Sequence, residues 1–273
     1  MLDCEYPFVP ANWANPSGLT RSKPRTNGMT MVIDKGLGST AFRDLLELAS
    51  PYMDIYKLGF GTTALYPLNL LQQKIMLAKQ HGLTVMPGGT FFEIAVRRAP
   101  VKDYMAHIQA LGFNAVEISD GTFALPASQR REAIRIGVET GLVVYTEFGK
   151  KAADYRAERD ELIETLFADL ESGASHVIVE ARESGTVGVF DPNGQVDESF
   201  VHDIVHTIKS QAPRLIWEAP QKEQQVSLIR SIGSDVNLGN IAYTDVLALE
   251  TLRRGLRSDT ALIMEEGRSD PCG

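Results

Sequence analysis

Short apolar runs, rich in β-branched residues, recur along the chain. Between them lie longer stretches whose apolar positions return every three or four residues. The short runs are MTMVID (29–34), MDIYKLG (53–59), LTVMPG (83–88), AVEIS (115–119), LVVYTE (142–147), HVIVEAR (176–182), RLIWEA (214–219) and VNLGNI (236–241). Near-continuous apolar character over such spans predicts strands buried on both faces. The intervening stretches predict amphipathic helices. AFRDLLELA, for example, puts Phe42, Leu45, Leu46 and Leu48 or Ala49 on one face. Gly82, Gly112, Gly141, Gly173 and Gly233 each fall after a helical stretch and before the next strand, where a left-handed helix cap belongs.

Neighbouring strand ends lie about 22 to 38 residues apart, the size of a strand-plus-helix unit. A series of eight such units predicts a single-domain parallel (β/α)8 barrel of the TIM type over residues 27–265. An irregular arm rich in Pro, Asn and Ser precedes it (1–26), and a short tail follows (266–273). The competing architecture is an open doubly wound sheet. It usually places a Gly-rich phosphate loop after the first strand, and DKGLGST lacks that spacing.

Composition narrows the function classes. The 273 residues carry 27 Lys+Arg against 35 Asp+Glu, a net charge of −8. Such a chain has no global attraction for nucleic acid or an anionic membrane. Cys4 and Cys272 form no CxxC pair, which argues against a thiolate metal site. No apolar run approaches the roughly 20 residues of a membrane span. The first residues show neither a basic nor an apolar leader region. The expectation is a soluble cytoplasmic protein.

The active site of such a barrel lies at the C-terminal ends of its strands. Charged and polar residues gather there: Lys35, Lys57, Glu93, Glu117, Asp120, Glu147, Lys150, Lys151, Glu180, Arg182, Glu218 and Asn240. In VIVEAR, Glu180 and Arg182 share one side of the strand, as do Glu117 and Ser119 in AVEIS. Carboxylates converging on one point are best satisfied by a hard cation such as Mg2+. Lysines and arginines beside them can hold phosphate or carboxylate groups. Backbone amides of GGT, at Gly89 and Thr90, can do the same. Against this stands a solvated barrel mouth whose charges pair for structural reasons alone. His202 and His206, four apart on an outer helix, read as surface or packing residues. Trp13 and Trp217 read as packing residues, and RRGLRSD closes the barrel or binds a phosphate.

The collinear set KPRTNGMTMVIDKGLG, KLGFGTT, GGTFFE, VEISDG, EFGKK, VIVEARESG, WEAPQKEQQ, NLGNI and LETLRRGLRSDT resembles the phosphosulfolactate synthase family over about residues 21–260. That family serves coenzyme M biosynthesis and includes plant heat-stress-associated relatives. The resemblance implies a (β/α)8 barrel, a homo-oligomer, and Mg2+-dependent addition of sulfite to phosphoenolpyruvate, giving (2R)-phospho-3-sulfolactate. Phe60 stands where many relatives have Trp and Phe148 where many have Val; neither change removes a charge.

On that basis the metal takes its ligands from Glu117, Glu147 and Glu180, with Asp120 or Glu218 as alternatives. Lys150 is the first choice for the lysine that protonates the substrate, and Lys151 holds sulfite or phosphate. Arg25, Lys57, Arg182 and, less directly, Lys35 are expected on the phosphate and sulfonate, with Gly89, Thr90 and Asn240 also contacting substrate. Two alternatives stay open. One is a Schiff-base aldolase with Lys57 or Lys150 as the amine. The other is a non-catalytic stress-associated relative.

Overall fold

The eight apolar runs form eight parallel strands: β1 (Thr30–Asp34), β2 (Ile55–Leu58), β3 (Thr84–Pro87), β4 (Ala115–Ile118), β5 (Val143–Phe148), β6 (His176–Val179), β7 (Leu215–Glu218) and β8 (Leu238–Ala242). This computed structural model describes residues 9–150, 155–181, 188–190 and 194–266. The helices are α1 (Ala11–Ala14), α2 (Ser39–Ala49), α3 (Leu68–Gln80), α4 (Gly89–Val96), α5 (Val101–Leu111), α6 (Ala127–Glu139), α7 (Arg159–Ser172), α8 (Glu198–Ile208), α9 (Lys222–Ile232), α10 (Val246–Arg253) and α11 (Ser258–Glu266). No described helix is long and apolar enough to cross a membrane.

The backbone ladder runs in the order β3-β2-β1-β8-β7-β6-β5-β4. Strand β1 therefore pairs with both β2 and β8, which all but closes the sheet into the expected barrel. Among the described residues, side chains rather than a ladder bridge the seam between β3 and β4. Asn114 Oδ1 accepts from the amide of Val85 at 2.7 Å. At the other end of the same seam the Glu117 carboxylate accepts from the amide of Gly89.

Two apolar layers follow from the two-residue period of the strands. Val32, Tyr56, Val116, Val144, Val177 and Trp217 point outward and pack on Phe42, Ile75, Phe92, Met105, Ile134, Leu166 and Ile204 of the helices. Each such side chain contributes about 1.5–3 kcal/mol when fully buried. Met31, Ile55, Met86, Ala115, Tyr145, Ile178 and Ile216 point inward and fill the barrel.

Local differences from the sequence reading are few. On α2 the buried face is Phe42, Leu45, Leu46 and Ala49, and Leu48 faces solvent. Gly112 and Gly173 are left-handed helix caps as expected, whereas Gly233, with φ 116° and ψ 166°, is not. Trp217 is buried, but Trp13 in the arm is 65% exposed. His202 and His206 stack on the exposed face of α8.

The arm crosses the N-terminal end of the barrel. Arg21 pairs with Glu250, and Arg25 pairs with Asp54 at 2.9 Å. Buried Arg253, from RRGLRSD, donates to the carbonyls of Ser234, Val236 and Met29 and so closes that end.

Candidate active site

The inward layer changes character one step up each strand. Two residues beyond Ile55, Met86, Ala115, Tyr145, Ile178 and Ile216 come Lys57, Gly88, Glu117, Glu147, Glu180 and Glu218. All six line one cavity of about 290 Å3 at the C-terminal mouth, with Ile33, Phe60, Gly89, Thr90 and Asn240. Strand β8 keeps the pattern only by breaking its own geometry. A Cβ on Gly239 would lie 2.5 Å from Met31 Cε, so Gly239 faces the apolar layer. Asn240, with φ 53°, then turns into the cavity. Phe60 also has a positive φ, of 56°. Backbone held in this sparsely populated region clusters at functional sites.

Lys57 is the centre of the charge arrangement. Its ammonium lies 2.6 Å from Glu117 Oε1, 3.3 Å from Glu218 Oε1 and 3.9 Å from Glu147 Oε2, and all four side chains are buried. Burial on its own lowers the Lys57 pKa, but the three carboxylates outweigh it and raise it above the ordinary lysine value. Burial pushes Glu117 up to about 7, opposed by Lys57 and assisted by Glu147. Glu117 is held on both oxygens, by Lys57 and by the Gly89 amide.

These carboxylates fit a hard divalent cation. Glu117, Glu147 and Glu218 each offer an oxygen, and the three oxygens lie within 4.8 Å of one another. Mg2+ takes oxygen ligands of this kind. A dication there would stabilise the ionised form of carboxylates that burial disfavours.

A second tier supports this one. Ser119 Oγ lies 2.7 Å from Glu147 Oε1 and 2.6 Å from Glu93 Oε1. The amides of Thr122 and Phe123 donate to Glu93 Oε2 at 2.8 and 2.7 Å. Arg130 of α6 donates to the Glu147 carbonyl, pairs with Asp169 and also reaches Asp120. Asp120 in turn accepts from Lys150 Nζ at 2.8 Å.

Residues 19–259 match the family model described as (2R)-phospho-3-sulfolactate synthase. The chain belongs to this family. It is 43% identical over 241 residues to the phosphosulfolactate synthase of Methanothermobacter thermautotrophicus, covering 87% of this chain and 93% of that one. Identity to the Bacillus subtilis phosphosulfolactate synthase is 40% over 242 residues, covering 88% and 94%. The Arabidopsis thaliana protein HEAT-STRESS-ASSOCIATED 32 is more distant, 22% identical over 260 residues, covering 85% and 87%. Among solved structures, the carboxyl transferase domain of Rhizobium etli pyruvate carboxylase with pyruvate and biocytin has a TM-score of 0.55 at 8% identity. That match covers 82% of this chain and 41% of the carboxylase chain. At such identity the likeness concerns the barrel fold alone.

In this phosphosulfolactate synthase family member the expected site residues fall into four groups. Lys57, Gly89, Thr90, Glu117, Glu147, Glu180 and Asn240 share the cavity. The convergent carboxylate trio contains Glu218, expected as an alternative ligand, in the place first given to Glu180; Glu180 lines the same cavity. The Gly89 amide is taken by Glu117. Lys150 lines an adjoining crevice that shares Glu147 with the cavity. Arg25 and Lys35 are not brought to the cavity. Residues that precede a parallel strand lie at its N-terminal end, and Arg25 spends its guanidinium there on Asp54 and the carbonyls of Arg21 and Pro51. Lys35 is exposed, its ammonium 5.7 Å from the Phe60 ring centre. Lys151 and Arg182 lie outside the described residues.

The period-two rule carries Glu218, named as an alternative ligand, into the cavity, since it follows the inward Ile216. Glu93 was visible only as a charge past β3, and Arg130 had no such signal. Their partners lie 10 to 39 residues away and meet them only in the folded barrel.

Proposed function

We propose that this chain is a phosphosulfolactate synthase, adding sulfite to phosphoenolpyruvate with Mg2+ as its resident cation. The product is (2R)-phospho-3-sulfolactate. One observation supports this above the rest. The family match spans every strand of the barrel, and the cavity at its mouth gathers three carboxylates around a buried ammonium.

Glu117, Glu147 and Glu218 are the residues that would hold Mg2+, with Glu180 beside them. When bound, the cation supplies electrostatic stabilisation of the negative charge that develops on the substrate carboxylate. The sulfite sulfur donates a lone pair to the methylene carbon, forming the C–S bond. The former C=C electrons move towards C2 and the carboxylate, and a proton then arrives at C2. Thr90 and Asn240 line the space where the substrate anions bind. Asn240 Oδ1 is buried and has no hydrogen-bond partner among the described residues, so it is an acceptor open to a donor group or water that accompanies a bound molecule.

Lys150 is assigned the proton transfer to C2. Its side chain is 40% exposed, so the amine left behind can regain a proton from solvent. Lys57 is less suited to that task, because the surrounding carboxylates hold its proton. The same feature weighs against Lys57 as a Schiff-base amine, which must be free of its proton to attack a carbonyl.

The test is incubation with phosphoenolpyruvate, sulfite and Mg2+, with the product followed by mass. The expected product is phosphoenolpyruvate plus one sulfurous acid, lost when the metal is chelated. Folded Lys150→Met protein should lose turnover yet still bind phosphoenolpyruvate. Wild-type protein that binds Mg2+ and phosphoenolpyruvate but makes no sulfonate defeats the reading.

A further inference from the structure

Lys57 occupies the ground that a metal ion would take. Its ammonium is within hydrogen-bonding distance of Glu117 Oε1 and Glu218 Oε1, and close to Glu147 Oε2. Glu117, Glu147 and Glu218 are also the residues whose oxygens converge as candidate metal ligands. We propose that Lys57 is a built-in counter-ion that a divalent cation displaces, and that the displaced ammonium becomes the anchor for a substrate anion. The proposal deepens the reading above and rests on it for the identity of the anion.

Three observations support it. The first is spatial. Mg2+ needs its ligand oxygens at about 2.0–2.1 Å and in near-octahedral directions. A carboxylate oxygen that already receives an ammonium at 2.6 Å is not free to turn fully onto a metal. The second is electrostatic. An ammonium and a dication about 4 Å apart repel strongly in a partly buried site, because both charges are poorly screened. Moving Nζ away from the shared oxygens relieves that repulsion.

The third is the chemistry of the lining. Glu117, Glu147 and Glu218 are all carboxyl groups, a setting hostile to a multiply charged anion, and a dication on their oxygens would oppose that repulsion. The released ammonium then faces the cavity bounded by Gly88, Thr90 and Asn240. A lysine suits this role, since its flexible four-carbon stem carries a compact point charge with rotatable donors. Metal binding and anion binding then favour each other, and linkage makes the effect reciprocal. Without metal, Lys57 keeps buried carboxylates from standing unpaired, which stabilises the empty barrel mouth.

The test uses the full chain without substrate. Mn2+ is titrated calorimetrically into wild-type protein and into Lys57→Met, and the expected result is at least tenfold tighter binding by the variant. In wild-type crystals soaked with Mn2+, the anomalous peak should lie on oxygens of Glu117, Glu147 and Glu218. Lys57 Nζ should have left both Glu117 Oε1 and Glu218 Oε1. Should Lys57→Met fail to fold, the soaked wild-type crystal decides alone. Equal or weaker Mn2+ binding by a folded variant overturns the proposal. So does a bound metal with Nζ still on both carboxylates, or a metal bound elsewhere. These readouts involve no turnover, so they separate from the assay of sulfonate formation. Product formed by a protein whose Lys57 never moves would retain the enzyme reading and reject the displacement.

Discussion

Lys57 Nζ and Glu117 Oε1 meet at 2.6 Å on the floor of the barrel mouth, both buried, from either side of Gly88 in the inward-facing tier. Glu117 also holds the amide of Gly89 across the seam where β3 and β4 lack a ladder. One carboxylate thus joins the seam, the ammonium and the candidate metal cluster. Substituting Glu117→Gln keeps the size but removes the charge. The expected result is a fall in kcat of about 100-fold or more, the scale for losing a group that organises transition-state charge. Unfolding should become easier by about 1–3 kcal/mol, since Lys57 loses its shortest ionic partner. Steady-state kinetics and urea denaturation of one preparation measure both.

Gly89 offers a steric test of the same seam. A Cβ there would lie 2.6 Å from Ser119 Cβ and 3.1 Å from Glu117 Cγ. Gly89→Ala should therefore push Glu117 or Ser119 off position. Overpacking of this kind costs typically about 1–3 kcal/mol. Because the displaced groups line or support the cavity, activity should fall by more than the stability loss alone implies. A variant that loses stability but keeps full turnover would show that the seam is structural only.

Behind β1 a second buried pair should behave differently. Lys74 of α3 donates to the Asp34 carboxylate, to the Leu37 carbonyl at 2.7 Å and to Tyr66 Oη at 3.0 Å. Burial disfavours ionised Asp34, but the amides of Leu37 and Gly36 together with Lys74 prevail and lower its pKa. Lys74→Met leaves that carboxylate buried without its cation, at a cost of about 3–5 kcal/mol. Asp34→Asn added to Lys74→Met should recover a large part, because Asn still accepts from the two amides. The coupling energy from the double-mutant cycle in urea is the measurement. Additive losses would mean that the two residues act separately.

The barrel was legible because each strand is buried on both faces and so reads as an unbroken apolar run. The cavity wall was legible in part by the same periodicity, which brought Glu117, Glu147 and Glu180 inward. What the period does not encode is which carboxylates meet. Glu218 rather than Glu180 completes the trio because the tier closes into a ring around Lys57. Lys57 was visible as a charge inside an apolar strand, but its role as the hub depends on three strands remote in the chain. Arg25 was misplaced for a simpler reason. It lies beside β1 in sequence, but about five residues of strand at roughly 3.3 Å each separate it from the mouth.

The opposite end of the barrel carries a pH dependence of its own. His176, first residue of β6, is buried there, stacked on Tyr145 with 5.7 Å between ring centres and bonded through Nδ1 to Ser175 Oγ at 2.8 Å. Burial pulls its pKa down to about 4 from 6.5, and the Arg214 guanidinium adds to the effect. The unfolded chain therefore takes up a proton at this residue near pH 6.5, and the folded chain only near pH 4. Between those values the unfolded state holds more protons, so stability falls as pH drops through the window. The full difference is about 3 kcal/mol, at about 1.4 kcal/mol for each unit of separation. His176→Gln has no such proton to take up. Urea midpoints of wild type and variant should thus converge, or cross, on going from pH 7.5 to pH 4.5. A gap that stays constant across that range would mean that burial of the neutral imidazole contributes nothing to acid sensitivity.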